Sequence, residues 1–591
     1  MKKAEKIRIN EKVISDTFRK SANVMIAGSM TAFIGTTIDS IITSRILGVT
    51  YVSSFQLVQP LMLVVTMLAM LIFNGLQNVY ANKIGAGKMH EAHTVMSLSI
   101  LILGVISAIC ALAYCLLAHP IVSKLGASDV SSLLHTEAVA YIYGIAPGLI
   151  GICLQQLLSY IVMMEGRQNV VLTAIIVQTA VNITGDILAA KVFQNGLLGM
   201  GLASTVCYYS AIAVLLISMI RRPVSYRFTL KGVQWKSLLE VFKMGMPGAA
   251  ERLYLVVQTL FMNSVLLAKV SADAVAAYAI LSTLNNLLQS VATGTAGTMF
   301  TMASVYAGEK DGNSLKATLS SSMRYVVTAE SIVLVAVLLT APLLILPFIG
   351  TDGAEVQQTA VFALRALSLS VILYGVNHTY QRYIQAVGAM KMAYLIPALD
   401  SVIGFIPSAL LLLTAAGERG IWFAYFAGEI LAVVFVMLIT SVKQKKAALH
   451  LESYLYFPED ILIEDTDVMD VSVNDMESLP NLSEQCQQYC LERDSSSKKA
   501  MLIALSVEEM GKNIFRYNES KITVDVRLLK KEETWVLRIR DNGQAFDPTE
   551  WMRIHQAEEK EKNIGIRMIA GLCSRFDYIS IMSMNNLIIY I

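Results

Sequence analysis

The chain has 591 residues, too many for one ordinary domain, and 55% of them are hydrophobic while 16% are charged, against roughly 25% charged in soluble globular proteins. A formal net charge of +2 supplies no basic field that would recommend nucleic acid as a partner. The seven cysteines are scattered, with no CxxC pair and no histidines at zinc spacing, and so argue for neither a disulfide framework nor a metal site. A lipid bilayer is the environment this composition predicts.

The first twenty residues are charged and lack the short apolar core and cleavage site of a removed signal peptide. A hydrocarbon core of about 30 Å needs about 20 apolar residues per helix, and suitable runs recur. They predict spans near 22–44, 53–79, 94–117, 136–160, 168–190, 197–219, 244–268, 274–302, 322–348, 360–386, 392–414 and 419–441. With twelve spans, the basic segments Lys83 to Lys88, Arg221 to Lys236, Glu309 to Arg324 and Lys443 to Lys446 share one side with the N-terminus. By the positive-inside rule that side is cytoplasmic. The expected location is a bacterial-type inner (plasma) membrane, multi-pass, with both termini in the cytoplasm.

An internal repeat supports the count. VYANKIGAGKMHEA (79–92) has a counterpart in SVYAGEKDGNSLKA (304–317), and MMEGRQN (163–169) in QAVGAMK (385–391). The expected division is an N-lobe of six helices (1–230), a C-lobe of six (231–446), an acidic linker (447–481) and a compact α/β unit (482–591). Two parallel repeats related by an axis along the membrane normal enclose a central cavity.

Ionisable groups inside apolar spans are costly and mark functional candidates. Asp39 lies in GTTIDSIITS, where a carboxylate could take a proton or sodium ion or be satisfied by neighbouring hydroxyls. Asn182 and Asp186 are one helical turn apart and share a face, which suits a cation site or a hydrogen-bond network equally. Glu251 adjoins Arg252, so a local ion pair competes with a transport role. Asp400 sits between two prolines expected to kink the eleventh helix, and Glu429 has no partner evident in sequence.

The segment 30–61 followed by GAGK (85–88), with VNITGDILAA (181–190) and KMGMPGAAERL (243–253), resembles the multidrug and toxic compound extrusion (MATE) family over roughly residues 15–445. The resemblance implies two six-helix lobes, alternating access, and export of a small-molecule cargo in exchange for protons or sodium. It places Asp39, Asn182 and Asp186 in an N-lobe ion site and Glu251 at the C-lobe acidic position. Asn377 stands where many sodium-coupled members carry an acid, which favours protons. The acidic charges in the spans suit organic cations or drug-like compounds as cargo. An arginine-lined cavity would suit a lipid-linked saccharide flippase, a third alternative.

In the C-terminal unit, SVEEMGKNIFRY places Glu509, Asn513 and Tyr517 on one helical face, a carboxylate one turn from an amide that could bind magnesium. RIRDNGQAFDP (538–548) offers Asp541 for an adenine amino group and Gly543 as a turn, and NIGIRMIAGL (563–572) a helix N-terminus suited to phosphate. This ordered set resembles the GHKL (histidine kinase-like) ATPase fold, nearest its anti-sigma-factor serine kinase branch. The resemblance implies ATP and Mg²⁺ as ligands, with Glu509 as catalytic base, Asn513 as magnesium ligand, Asp541 as adenine contact, and Gly543 and Gly565 in the nucleotide loops. Asn563 departs from the usual glycine. The reading that follows is a MATE-like antiporter whose cytoplasmic ATP-binding domain regulates it. The alternative is a membrane sensor whose domain phosphorylates a soluble protein partner.

Overall fold

The structure, a computed structural model, describes residues 2–591 except 48, 126, 128, 131, 233–234, 349–353, 445–453, 455–467, 494, 519–521, 532–533, 555–563 and 582–583. The N-lobe comprises α1 (Lys2–Ile42), α2 (Val49–Gly85), α3 (Met89–Lys124), α4 (Leu133–Met164), α5 (Gln168–Leu188) and α6 (Gly196–Arg221). The C-lobe comprises α7 (Trp235–Lys269), α8 (Ala272–Leu288), α9 (Ser290–Gly308), α10 (Gly312–Ile345), α11 (Ala354–Ser368), α12 (Val371–Ala386), α13 (Met390–Ala398), α14 (Phe405–Ile421) and α15 (Ala424–Gln444). Among the described residues nine helices are long and apolar enough to cross a membrane, or ten when α11 and α12, bent by 47°, count as one span.

Two expectations about the spans need correction. The first expected span, 22–44, is the later part of a longer helix, because α1 runs unbroken from Lys2, with Ile14 and Phe18 already buried. The expected single span 274–302 is broken at Gln289. There the Ser290 hydroxyl donates to Leu287 O at 2.6 Å, competing with the helical ladder. Ser370 does the same to Leu367 O at 2.7 Å beside the α11–α12 bend. The kink around Asp400 takes the form of a π-turn over Leu399–Ile403.

The repeat is visible in the backbone. The turn after α2 and the turn after α9 each place one residue at positive φ, Gly87 at 74° and Lys310 at 55°. The paired turns at Gly166 (73°) and Gly388 (83°) match as well. The lobes meet near these turns: a side chain on Gly85 would strike the Val305 carbonyl, and one on Gly308 the Asn82 carbonyl. Gly75 against Val241 and Gly245 against Leu71 repeat the arrangement between α2 and α7. Only glycine permits such close helix crossings. Asn78 adds hydrogen bonds to Ser304 Oγ and Ala386 O, both 3.0 Å.

The C-terminal unit has a five-stranded antiparallel sheet, ordered β1-β2-β3-β5-β4. Its strands are β1 (Val468–Val473), β2 (Val524–Lys531), β3 (Thr534–Asp541), β4 (Arg575–Ile581) and β5 (Met584–Tyr590). The helices are α16 (Leu479–Leu491), α17 (Ser497–Arg516), α18 (Pro548–Ile554) and α19 (Ile564–Leu572). β1 lies inside the stretch expected to be an acidic linker. It belongs to the sheet because Val471 and Val473 alternate into the core beside Val526 and Val524.

Strand alternation divides this unit in two. Trp535, Leu537 and Ile539 of β3 pack with α16, α17 and α19. Val536, with Leu529, Ile579, Ile581 and Ile588, joins the hydrophobic core of the helical bundle instead. The sheet is therefore covered on both faces, by its own helices and by the transmembrane helices.

Candidate functional site

Between the lobes lies a cavity of about 360 Å³. Its wall includes Phe33 of α1, Met70 and Phe73 of α2, Gln155 and Met163 of α4, Glu251 and Arg252 of α7, Phe300 of α9, and His378 and Arg382 of α12. Asp39, Asn182 and Asp186 are brought together, but behind the wall and within the N-lobe. Asp186 is buried, Asn182 reaches its Oδ2 at 3.5 Å, and the Asp39 and Asp186 carboxyls lie close together, each with a buried Oδ1 that has no hydrogen-bond partner among the described residues. Two carboxyls so placed resist ionising together, because like charges disfavour each other's charged form.

The C-lobe handles charge differently. Glu251 is paired with Arg382, three turns into α12, rather than with its neighbour Arg252. Arg382 Nη2 and Gln381 Nε2 each donate to Glu251 Oε2 at 3.2 Å, and His378 Nδ1 is 3.6 Å from Oε1. The helical spacing of 378, 381 and 382 aims all three at one carboxylate. Glu429 finds its partner in Asn377, whose Nδ2 is 2.6 Å from Oε2. Asp400 accepts from Ser401 Oγ at 2.5 Å; neither acid lines the cavity. Glu330 of α10, flagged by no motif, is 1% exposed against Gly375. The expected acidic, cation-seeking cavity is thus not what the helices assemble. Asp39, Asp186, Glu330, Asp400 and Glu429 are outside its lining, and the wall carries one paired acid and two guanidiniums among the described residues.

The C-terminal unit holds a second pocket of about 450 Å³ between α17, β3, β5 and the 544–551 segment. Asn513 and Asp541 line it, with Tyr517, Phe546, Trp551 and Tyr578 as aromatic walls. Asp541 Oδ1 accepts from Gly543 N and Asn585 Nδ2, both at 2.8 Å. Burial pushes the Asp541 carboxyl up from the usual aspartate range, and these hydrogen bonds pull it down. Asn585 is held in turn by Tyr578, whose hydroxyl donates to its Oδ1 at 2.8 Å. Sequence reading missed Asn585 and Tyr578 because cross-strand pairing, not spacing, brings them to Asp541.

Gly543 turns the chain at the pocket edge, and a side chain there would strike Asn518. Glu509 and Gly565 are in contact with each other and outside the lining. His555 and Asn563 lie outside the described residues. The donor set fits a nucleotide: aromatic faces for a base, the Asp541 carboxyl for an exocyclic amine, and the Asn513 amide, buried with its Nδ2 unpaired, for a phosphate oxygen or, through its Oδ1, a magnesium ion.

Behind the pocket the sheet grips the bundle. Arg527 reaches Asp311 at 2.6 Å, Arg538 reaches Glu309 at 2.5 Å and Asp311 at 2.9 Å, and Arg540 reaches Glu309 at 2.5 Å. All five side chains are buried. Burial alone would raise the Asp311 carboxyl, but Arg527, Arg538 and Arg540 hold it well below the usual aspartate range. On the N-lobe side the grip is lighter: Arg575 Nη2 donates to Gly87 O at 2.8 Å. Both repeat-related turns are therefore held by one sheet.

The MatE family model matches residues 25–188 and 247–410, more than half the chain, and a model described as a histidine kinase-like ATPase domain matches residues 473–589. The chain belongs to the MatE family and carries a histidine kinase-like ATPase domain at its C-terminal end. Among solved structures, the Vibrio cholerae MATE transporter VcmN in the bent form aligns with a TM-score of 0.67 at 20% identity, covering 76% of this chain and 100% of that one. A MOP superfamily transporter from Pyrococcus furiosus aligns at 0.66 and 18% identity, over 73% and 97%. At such identities the likeness is one of fold. No curated protein matches the chain significantly.

Proposed function

We propose that the protein is a proton-coupled MATE-type exporter of drug-like compounds in a bacterial inner membrane, regulated by ATP and Mg²⁺ bound to its cytoplasmic C-terminal domain. The closeness of the Asp39 and Asp186 carboxyls supports protons as the coupling ion, and the replacement of a C-lobe acid by Asn377 speaks against sodium. Cargo would enter the cavity from the cytoplasmic side once the lobes part at Gly85, Gly308 and their partners. Loading Asp39 or Asp186 with a proton would reset the N-lobe.

The observation that carries regulation is the register of two strands. Asp541 and Asn585 are cross-strand partners facing the pocket, while their neighbours Arg540 and Asn586, also partners, face the bundle, with Arg540 Nε 2.7 Å from Asn586 Oδ1. A nucleotide ordering the first pair would act on the adjacent pair that grips Glu309. Glu509 stands outside the pocket lining, which favours binding and regulation over phosphoryl transfer to a partner protein.

Reconstituted full-length protein tests the reading. Proton-driven efflux of a drug-like dye should respond to Mg²⁺-ATP, and Asp541→Ala should abolish that response while leaving basal flux. Unchanged flux with and without saturating ATP would remove the regulatory role, and no proton-driven flux of any tested dye would remove the exporter.

A further inference from the structure

We infer that the cargo is an amphiphile with an anionic head, such as a carboxylate, sulfonate or phosphate, rather than an organic cation; this rests on the exporter reading and names its substrate class. Of the charged groups in the wall, Glu251 is fully engaged by Arg382, Gln381 and His378. Arg382 spends its other arm on Gln385 Oε1, at 2.9 Å. Arg252, the next residue on α7, lines the cavity, is exposed, and makes no hydrogen bond or ion pair among the described residues. With Glu251 and Arg382 closed on each other, Arg252 leaves the wall with one uncompensated positive charge. Asp39 and Asp186 do not offset it, because they face each other behind the wall.

A guanidinium offers a planar fork of donors that matches carboxylate, sulfonate and phosphate oxygens. A cation would meet that charge with no free carboxylate to receive it. The remaining wall pairs an apolar body with a few polar contacts: Phe33, Phe73 and Phe300 against Gln77, Gln155 and Gln289. A cavity of about 360 Å³ is within the range that takes a drug-sized molecule.

The test is binding to full-length protein in phosphatidylcholine nanodiscs, with three probes sharing one ring system: naphthalene-2-sulfonate, a naphthyltrimethylammonium salt and uncharged 2-methoxynaphthalene. The sulfonate should bind about tenfold more tightly than the ammonium. Arg252→Gln should erase that preference without changing affinity for the uncharged probe, and Arg252→Lys should keep most of it. An ammonium that binds as well as or better than the sulfonate, or a sulfonate affinity unmoved in Arg252→Gln, overturns the inference. Should the variant fail to fold, the ranking of the three probes on the unaltered protein decides alone. Competition by phosphatidic acid in the nanodisc would assign the head to a lipid, and its absence to a soluble cargo. The preference without proton-driven flux in proteoliposomes would sink the exporter and keep the cargo class; flux with a cation preference would sink this inference alone.

Discussion

The two lobes are built on one plan, but among the described residues only the C-lobe pairs an acid of the cavity wall with an arginine, Glu251 with Arg382. Both turn at the same repeat positions with one residue at positive φ, and both contribute a glycine to the crossing that joins them. In the N-lobe Asp39 and Asp186 lie beside each other and Asn182 with no cation paired to them among the described residues, whereas the C-lobe ties Glu251 to Arg382. On the proposed function the first pair would carry the coupling proton, and the second, neutralising itself, would shape the wall.

The largest expected effect is therefore in the N-lobe. Asp39→Asn or Asp186→Asn should remove proton-driven flux altogether in proteoliposomes while thermal unfolding stays near that of the parent. Retained flux in both variants would erase the contrast between the lobes. Glu251→Gln should act on stability first, because it leaves Arg382 buried without its anion, a loss of roughly 3 kcal/mol read as a lower Tm of the purified protein. A Tm unchanged by that substitution would mean that the pair is not buried in the protein as it works.

The grip of the C-terminal sheet sharpens the same contrast at smaller scale. Arg538→Ala breaks contacts to both Glu309 and Asp311 and should free the sheet from the C-lobe turn, seen as loss of energy transfer between dyes on that turn and on α16. Arg575→Ala removes one hydrogen bond to Gly87 O, worth about 1 kcal/mol, and should only loosen it. Equal effects would make the grip symmetric. The smallest effect concerns pH. The Asp311 carboxyl is held below its ordinary range, so its contribution to docking is complete above the ordinary aspartate value and fades only as pH falls through the depressed one. Docking read by the same dyes should not weaken from pH 8 to pH 5, since the neighbouring Asp470, pushed up to about 6 by burial, favours the docked state as it takes a proton there, and undocking within that window would contradict the paired state of Asp311.

Much of the coarse plan was legible in the sequence because it rests on composition and local pattern. Apolar runs of bilayer length, the paired GAGK and GEKDG turns and the short SVEEMGKNIFRY and RIRDNGQAFDP segments, which bring Asn513 and Asp541 to the second pocket, each carry their meaning within a few residues. Partners across elements were not legible. Arg382 lies 131 residues from Glu251, and Asn585 lies 44 from Asp541, so spacing could not pair them.

Amino-acid sequence by itself determined that the chain lives in a membrane, that it is a duplicated helical bundle, and that an ATPase-type domain follows it, since hydropathy and short motifs survive without knowledge of contacts. Tertiary structure decided which charges are free. Arg538 and Arg540, alternating with Leu537 and Ile539, read as the solvent face of an ordinary antiparallel strand. Packing buries them against Glu309 and Asp311. The cavity follows the same logic, because net charge at a surface depends on which side chains have already neutralised one another, and that is a property of distances in space rather than of order along the chain.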